Sequence, residues 1–279
     1  MPRPALARSR RKPRPRAAGS HRPGAFKNRK RGGVRWARVA LLALLGVAAV
    51  AAAFWLSLPS AEPLRSSVPA MTALMQARVR EARKAGKVAR HNQHLVPLAR
   101  ISPWLLRAVV NSEDARFYLH QGVDLVETQR ALDQALEDGR LGRGASTLTQ
   151  QLAKNLWLGE ERSLLRKSKE LLLARRLEEL GKDRILELYL NVVEWGDGIY
   201  GADAAARVWF HVPAAQLLPE QAAVLAAMLP APRKRNPRHP SARLKARAAQ
   251  VLELFGLYRQ LTPDQLAEAR GRLALLLGR

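Results

Sequence analysis

The 279-residue chain contains no cysteine, which excludes a disulfide framework, a cysteine-ligated zinc site, an iron–sulfur centre and a thiol nucleophile. It is also short of acid. Asp and Glu number 23 against 48 Lys and Arg, a formal charge of +25, so an anionic partner is expected, whether phospholipid, phosphorylated substrate or nucleic acid. Strand patterning is missing as well, because Val, Ile and Thr do not alternate as a half-buried sheet requires. What the chain does have is 47% hydrophobic residues, enough to bury a sizeable core in one catalytic domain with accessories.

Residues 1–38 hold 14 of the basic residues and no acid. Rich in Pro, Gly, Ser and Arg and without apolar periodicity, this stretch reads as a disordered tail. Basic tails often bind nucleic acid, but the next segment decides against that. Val39 to Leu56 are 18 consecutive apolar residues, which at about 1.5 Å each cross most of a hydrocarbon core about 30 Å thick. An Ala-rich core helix and a cleaved signal peptide are the competing readings, and the run is long for the second, whose apolar region spans roughly 7 to 15 residues. An uncleaved transmembrane anchor over 39–58 is expected. Positions 19–38 carry seven Lys/Arg and positions 57–76 only Arg65, so the positive-inside rule places the N-terminus in the cytoplasm and residues 59–279 outside. The tail then serves as an orientation signal and a contact for anionic lipid.

Segments near 67–88, 103–114, 147–156, 163–180, 183–194, 219–228 and 241–256 are rich in Ala, Leu, Glu, Arg and Lys and predict helices. The Pro-rich stretch 230–240 reads as an irregular connection. Ser102-Pro103 suits a helix start, after which Leu106, Val109, Val110 and Glu113 recur at helical spacing. A carboxylate thus shares the apolar face near a helix C-terminus, where the macrodipole opposes it. Partial burial would raise its pKa toward a value suited to proton transfer; the alternative is a solvated Glu113-Asp114 pair ending a helix. This segment alone leaves both open.

Thr147 and Gln150 match a capping box, and Thr147, Gln150, Gln151 and Lys154 form an acid-free polar stripe opposite Leu148, Leu152 and Leu156. Such a face either grips a phosphate or sugar or is simply solvated. Arg166 and Glu170, four apart with Lys167 beside them, make either a surface ion pair worth well under ~1 kcal/mol or a cationic site that neutralises a pyrophosphate. Gly196-x-Gly198-x-x-Gly201 matches a dinucleotide fingerprint in spelling but follows a helical run, not a strand, so a tight turn is expected. His91 and His94 have no evident third metal ligand.

In order, Glu113-Asp114-x-x-Phe117-x-x-His120-x-Gly122, Gly144-x-Ser146-Thr147-x-x-Gln150-Gln151-x-x-Lys154-Asn155, Arg166-Lys167-x-x-Glu170 and Ile185-Leu186-Glu187-x-Tyr189-Leu190-Asn191 with the three glycines resemble the motifs of the peptidoglycan glycosyltransferases, family 51. Leu217-x-x-Glu220-x-Ala222-x-x-Leu225-Ala226, followed by Pro230, Pro232, Asn236 and Pro237, resembles that family's last motif. The resemblance runs over roughly residues 65–258. It implies an all-α, lysozyme-like domain over 59–258 with a membrane-associated jaw, and leaves 259–279 as a C-terminal helical extension.

The activity implied is inverting polymerisation of lipid II into β-1,4-linked glycan with release of undecaprenyl diphosphate. By resemblance Glu113 is the general base toward the acceptor 4-hydroxyl and Glu170 assists the leaving diphosphate, whose charge Lys154, Arg166 and Lys167 stabilise. Ser146, Thr147, Gln150, Gln151 and Asn155 would line the donor and phosphate region, and Asp114, Phe117 and His120 join the same substrate-binding set. Mg²⁺ or another divalent cation is implied as an aid without a closed protein cage. The implied partners are lipid II, the growing glycan, the phospholipid membrane and cell-wall or division proteins; nucleic acid is not among them. A transpeptidase domain is not expected, since the only Ser-x-x-Lys opening a candidate is Ser9 to Lys12 in the tail, and no Lys-Thr-Gly occurs. Two other readings compete: a glycan-cleaving enzyme of the same fold, which needs no cationic diphosphate pocket, and a non-catalytic membrane scaffold, for which Glu113 and Glu170 are dispensable.

Overall fold

A computed structural model of the chain describes residues 30–139, 146–159 and 163–278. Most of the basic tail, and Gly144 of the second motif, lie outside the described residues. The chain divides into two compact units, Met1–Ala53 and Phe54–Arg279. Helix α1 (Lys30–Ser57) contains the span Arg35–Ser57, 23 residues long and apolar enough to cross a membrane, with none of its most apolar window buried. A helix that is apolar on every side and uncovered by protein suits lipid.

The second unit is helical, as expected. Its main helices are α2 (Ala73–Lys84), α3 (Pro103–Glu113), α4 (Leu125–Asp138), α5 (Leu148–Ala153), α6 (Leu164–Leu177), α7 (Lys182–Val192), α8 (Ala202–Phe210), α9 (Pro219–Met228), α10 (Ala242–Leu257) and α11 (Pro263–Leu277). Helices α4 and α8 were not anticipated. The strand-free expectation also needs a small correction: β1 (Asn92–Gln93) pairs parallel with β3 (Ile199–Tyr200), which pairs antiparallel with β2 (Glu194–Gly196). Strands of two or three residues are too short to show alternation.

The core is built around α9, whose residues from Ala222 to Met228 form an unbroken apolar run and are all buried. A helix apolar on every side must be enclosed. Helices α3 and α10 pack on it and on each other. Helix α3 begins as its sequence predicts: Ser102 Oγ accepts the Trp104 N–H at 3.3 Å and donates to the Leu217 carbonyl at 2.7 Å. It buries Leu105, Ala108 and Val109 completely and ends on Glu113, so that carboxylate is delivered by one of the most enclosed helices of the domain. Helix α11 occupies the C-terminal extension and buries Leu266, Ala269, Leu273 and Leu277, while Arg272 Nε donates to the buried Glu220 at 2.9 Å.

Candidate active site

Two cavities open beside the end of α3. The larger, about 660 Å³, is lined by Gln151 and Lys154 together with Lys234, Arg235 and Arg243 from beyond α9. The smaller, about 370 Å³, is lined by Asp114, Asp124, Glu127 and Arg130. Ser112, Glu113 and Ser146 line both. Glu113 therefore stands where a cationic chamber meets an acidic one.

Glu113 is half-buried, and its Oε2 accepts the Gln151 side-chain amide at 3.2 Å. The same amide's oxygen accepts the Tyr189 hydroxyl at 2.9 Å. Burial, and secondarily the Glu113 charge, hold the Tyr189 phenol well above its ordinary range. It stays protonated and must donate, which fixes the Gln151 oxygen toward Tyr189 and its NH₂ toward Glu113.

Behind Glu113, the start of α5 forms the expected capping box. Thr147 Oγ1 accepts the Gln150 N–H at 3.2 Å, Gln150 Oε1 accepts the Thr147 N–H at 2.9 Å, and the Thr147 hydroxyl donates to the Gly122 carbonyl at 2.6 Å. Both side chains are buried and engaged with backbone, so they hold the helix start. Asp114 Oδ2 accepts the Leu148 N–H at 2.9 Å, and both its oxygens lie 3.0 Å from His120 Nε2. Burial pushes the Asp114 carboxyl up, against the pull of these donors. Phe117 is fully buried, with the Lys182 ammonium 4.5 Å from its ring centre. Asp114, braced by His120, thus ties the end of α3 to the start of α5, and Phe117 lies in the core. Instead of the regular helix expected through 156, α5 opens into a π-helical turn, Lys154–Leu158, which contains the buried Asn155. Such wider turns recur at functional sites.

Helix α6 is capped by Ser163, whose Oγ accepts the Arg166 N–H at 3.0 Å. Glu170 is only 4% exposed, and its oxygens are taken separately: Oε2 by Arg166 Nη1 at 2.9 Å, Oε1 by Lys167 Nζ at 2.5 Å. That burial removes the surface-pair alternative. Lys167 Nζ also reaches Ser146 Oγ at 3.4 Å, which links the cluster to the serine lining both cavities. Arg166 Nε is buried with no acceptor among the described residues.

Comparisons with known proteins give the family. A family model described as Transglycosylase matches residues 80–255. The chain belongs to the transglycosylase family. A biosynthetic peptidoglycan transglycosylase of Thiobacillus denitrificans is 46% identical over 190 residues, covering 67% of this chain and 81% of that one. Proteins of the same name from Dechloromonas aromatica and Rhodospirillum centenum are 47% and 49% identical over 166 residues, covering 59% of this chain and 72% and 71% of theirs.

In this transglycosylase the matched region starts within α2 and ends within α10, so α11 lies beyond it. Asp114, His120 and Asp124 place one potential metal-ligand atom each within 4.8 Å of one another. The oxygens of Asp114 and Asp124 already accept the Leu148, Val126 and Glu127 amides and the Arg116 guanidinium, so these residues fit a structural clamp. The glycine triplet also serves backbone geometry: Gly198 turns β2 into β3 with φ +72°, and a Cβ there would fall 2.4 Å from Arg90 Cβ. The sequence reading missed Lys234, Arg235 and Arg243. The run Arg233-Lys234-Arg235 was the available signal, but nothing local says that a Pro-rich connection folds back over a cavity. Arg235 is held there by donating to the Ala227 carbonyl.

Proposed function

We propose that this transglycosylase polymerises lipid II into β-1,4-linked glycan at the outer face of a bacterial cytoplasmic membrane, working in cell-wall synthesis like the biosynthetic peptidoglycan transglycosylases it is similar to. One observation carries the reading: a half-buried carboxylate, Glu113, at the boundary of a cationic chamber. Glu113 takes the proton of the acceptor 4-hydroxyl as that oxygen attacks the donor's anomeric carbon. The bond to the diphosphate breaks on the opposite face, which inverts the anomeric centre. Lys154, Arg166 and Lys167 stabilise the departing charge, and the orphaned Arg166 Nε–H suits an oxyanion. Glu170 orients those two cations from α6, while Gln151 and Tyr189 orient Glu113. A divalent ion such as Mg²⁺ would accompany the diphosphate and would supply further charge neutralisation there.

Helix α1 is the anchor in this reading, with the N-terminus cytoplasmic and residues 59–258 forming the catalytic domain. Leu125, Val126, Leu132 and Leu136 are exposed along α4, as are Tyr118 and Leu119 shortly before it in the chain, which supports a jaw that dips into the bilayer. The test is incubation of the purified full-length protein with labelled lipid II, with and without a chelator, and separately with finished sacculi. Glycan polymer from lipid II and no release from sacculi is expected; the reverse pattern identifies a glycan-cleaving enzyme.

A further inference from the structure

Helix α6 carries more positive charge than the proposed chemistry uses. Besides Arg166 and Lys167 it holds Lys169, Arg175 and Arg176, and its one acid, Glu170, is buried and already paired. Leu165 and Leu171 are exposed at 61% and 37%, next to exposed Arg175 and half-buried Lys169 and Leu172. Leucines interleaved with cations that form no ion pair among the described residues are the composition of an interfacial helix, whose apolar side chains enter the acyl boundary while cations meet phosphate.

A second observation fixes the depth of that surface. Lys169 Nζ lies 5.9 Å from the centre of the Phe54 ring, and the Arg176 guanidinium 4.4 Å from that of Trp55. Arg176 also donates to the carbonyls of Trp55 at 2.9 Å, Leu58 at 2.6 Å and Pro59 at 3.0 Å. Phe54 and Trp55 end the apolar span of α1 and belong to the same compact unit as α6. The end of a membrane-crossing helix marked by Trp is headgroup level. Helix α6 is bolted to that level.

We propose that the exposed face of α6 is a binding surface for the phosphate headgroups of anionic phospholipids in the leaflet where α1 ends. The proposal rests on reading α1 as a membrane anchor. It adds a lipid contact distinct from α4, and it holds the Arg166–Lys167–Glu170 cluster, on the same helix, at the depth of a lipid-linked diphosphate.

The absence of cysteine makes a single introduced thiol a unique labelling point. Full-length Leu171→Cys, and Leu275→Cys on exposed α11 as control, carry an environment-sensitive fluorophore and are reconstituted into vesicles of phosphatidylcholine with or without phosphatidylglycerol. The probe at 171 should lose its quenching by aqueous iodide and gain quenching by headgroup-level nitroxide lipid, more so with phosphatidylglycerol, while the probe at 275 keeps its iodide quenching. Adding Lys169→Gln and Arg175→Gln should abolish the phosphatidylglycerol-dependent part. Equal shielding in both lipids, or a probe at 171 as open to iodide as that at 275 in protein that floats with the vesicles, overturns the α6 surface alone. Protein that does not float contradicts the anchor and the α6 surface together.

Discussion

Glu113 and Glu170 are each held by partners that limit what they can do. Glu170 stands between Arg166 and Lys167; in the proposed reaction, Lys154→Ala and Arg166→Ala would remove charge that meets the diphosphate both in the ground state and during departure. Each should weaken lipid II binding and slow turnover, by roughly tenfold to a hundredfold for the loss of a charge-assisted contact of about 1.5–3 kcal/mol. Binding measured by fluorescence anisotropy alongside initial rates checks this; a loss of rate with unchanged binding contradicts it. The i,i+4 spacing made the Arg166–Glu170 pair legible in the sequence, because helical geometry alone brings such residues together. The Lys167–Ser146 contact and the Gln151–Tyr189 link were not legible, since tertiary packing of α5 against α6 and α7 creates them.

At the scale of elements, capping chemistry was the most readable feature. Ser102, Thr147 and Ser163 start their helices as predicted because a side-chain oxygen satisfies a local amide. Helix α8 was not read, and its anchoring depends on a contact eleven residues away: Asp203 accepts the Ala214 N–H at 2.8 Å and Arg207 Nε at 2.6 Å. Burial acts to raise the Asp203 carboxyl, but these donors prevail and hold it below its ordinary value of 3.8. A depressed folded pKa contributes stability that is present above the unfolded value and lost as pH falls through the folded one. The stability gap between the wild type and Asp203→Asn should therefore be full at neutral pH and shrink on acidification below about 3.8. Denaturant titrations across that range measure it, and a gap that widens with acid contradicts the assignment.

For the whole molecule, charge asymmetry around α1 governs topology. With seven Lys/Arg before the apolar run and one after it in the adjoining twenty-residue windows, a reporter fused after Arg279 should behave as exported. Cytoplasmic reporter activity contradicts that orientation. Helical class and anchor could be read from composition and run length. How α11 packs on the core could not, because it joins through Leu266, Leu273 and the Arg272–Glu220 pair, contacts that span long stretches of chain.

The central claim is that Glu113 removes a proton from the acceptor. Glu113→Gln preserves size and keeps a side-chain amide or carbonyl beside Gln151 while deleting basicity. Lipid II polymerisation by this variant, measured beside the wild type in protein shown to be folded and membrane-inserted, should fall by about 10²- to 10⁴-fold with lipid II binding retained. Near-normal glycan synthesis by Glu113→Gln would contradict the catalytic assignment and favour a scaffold.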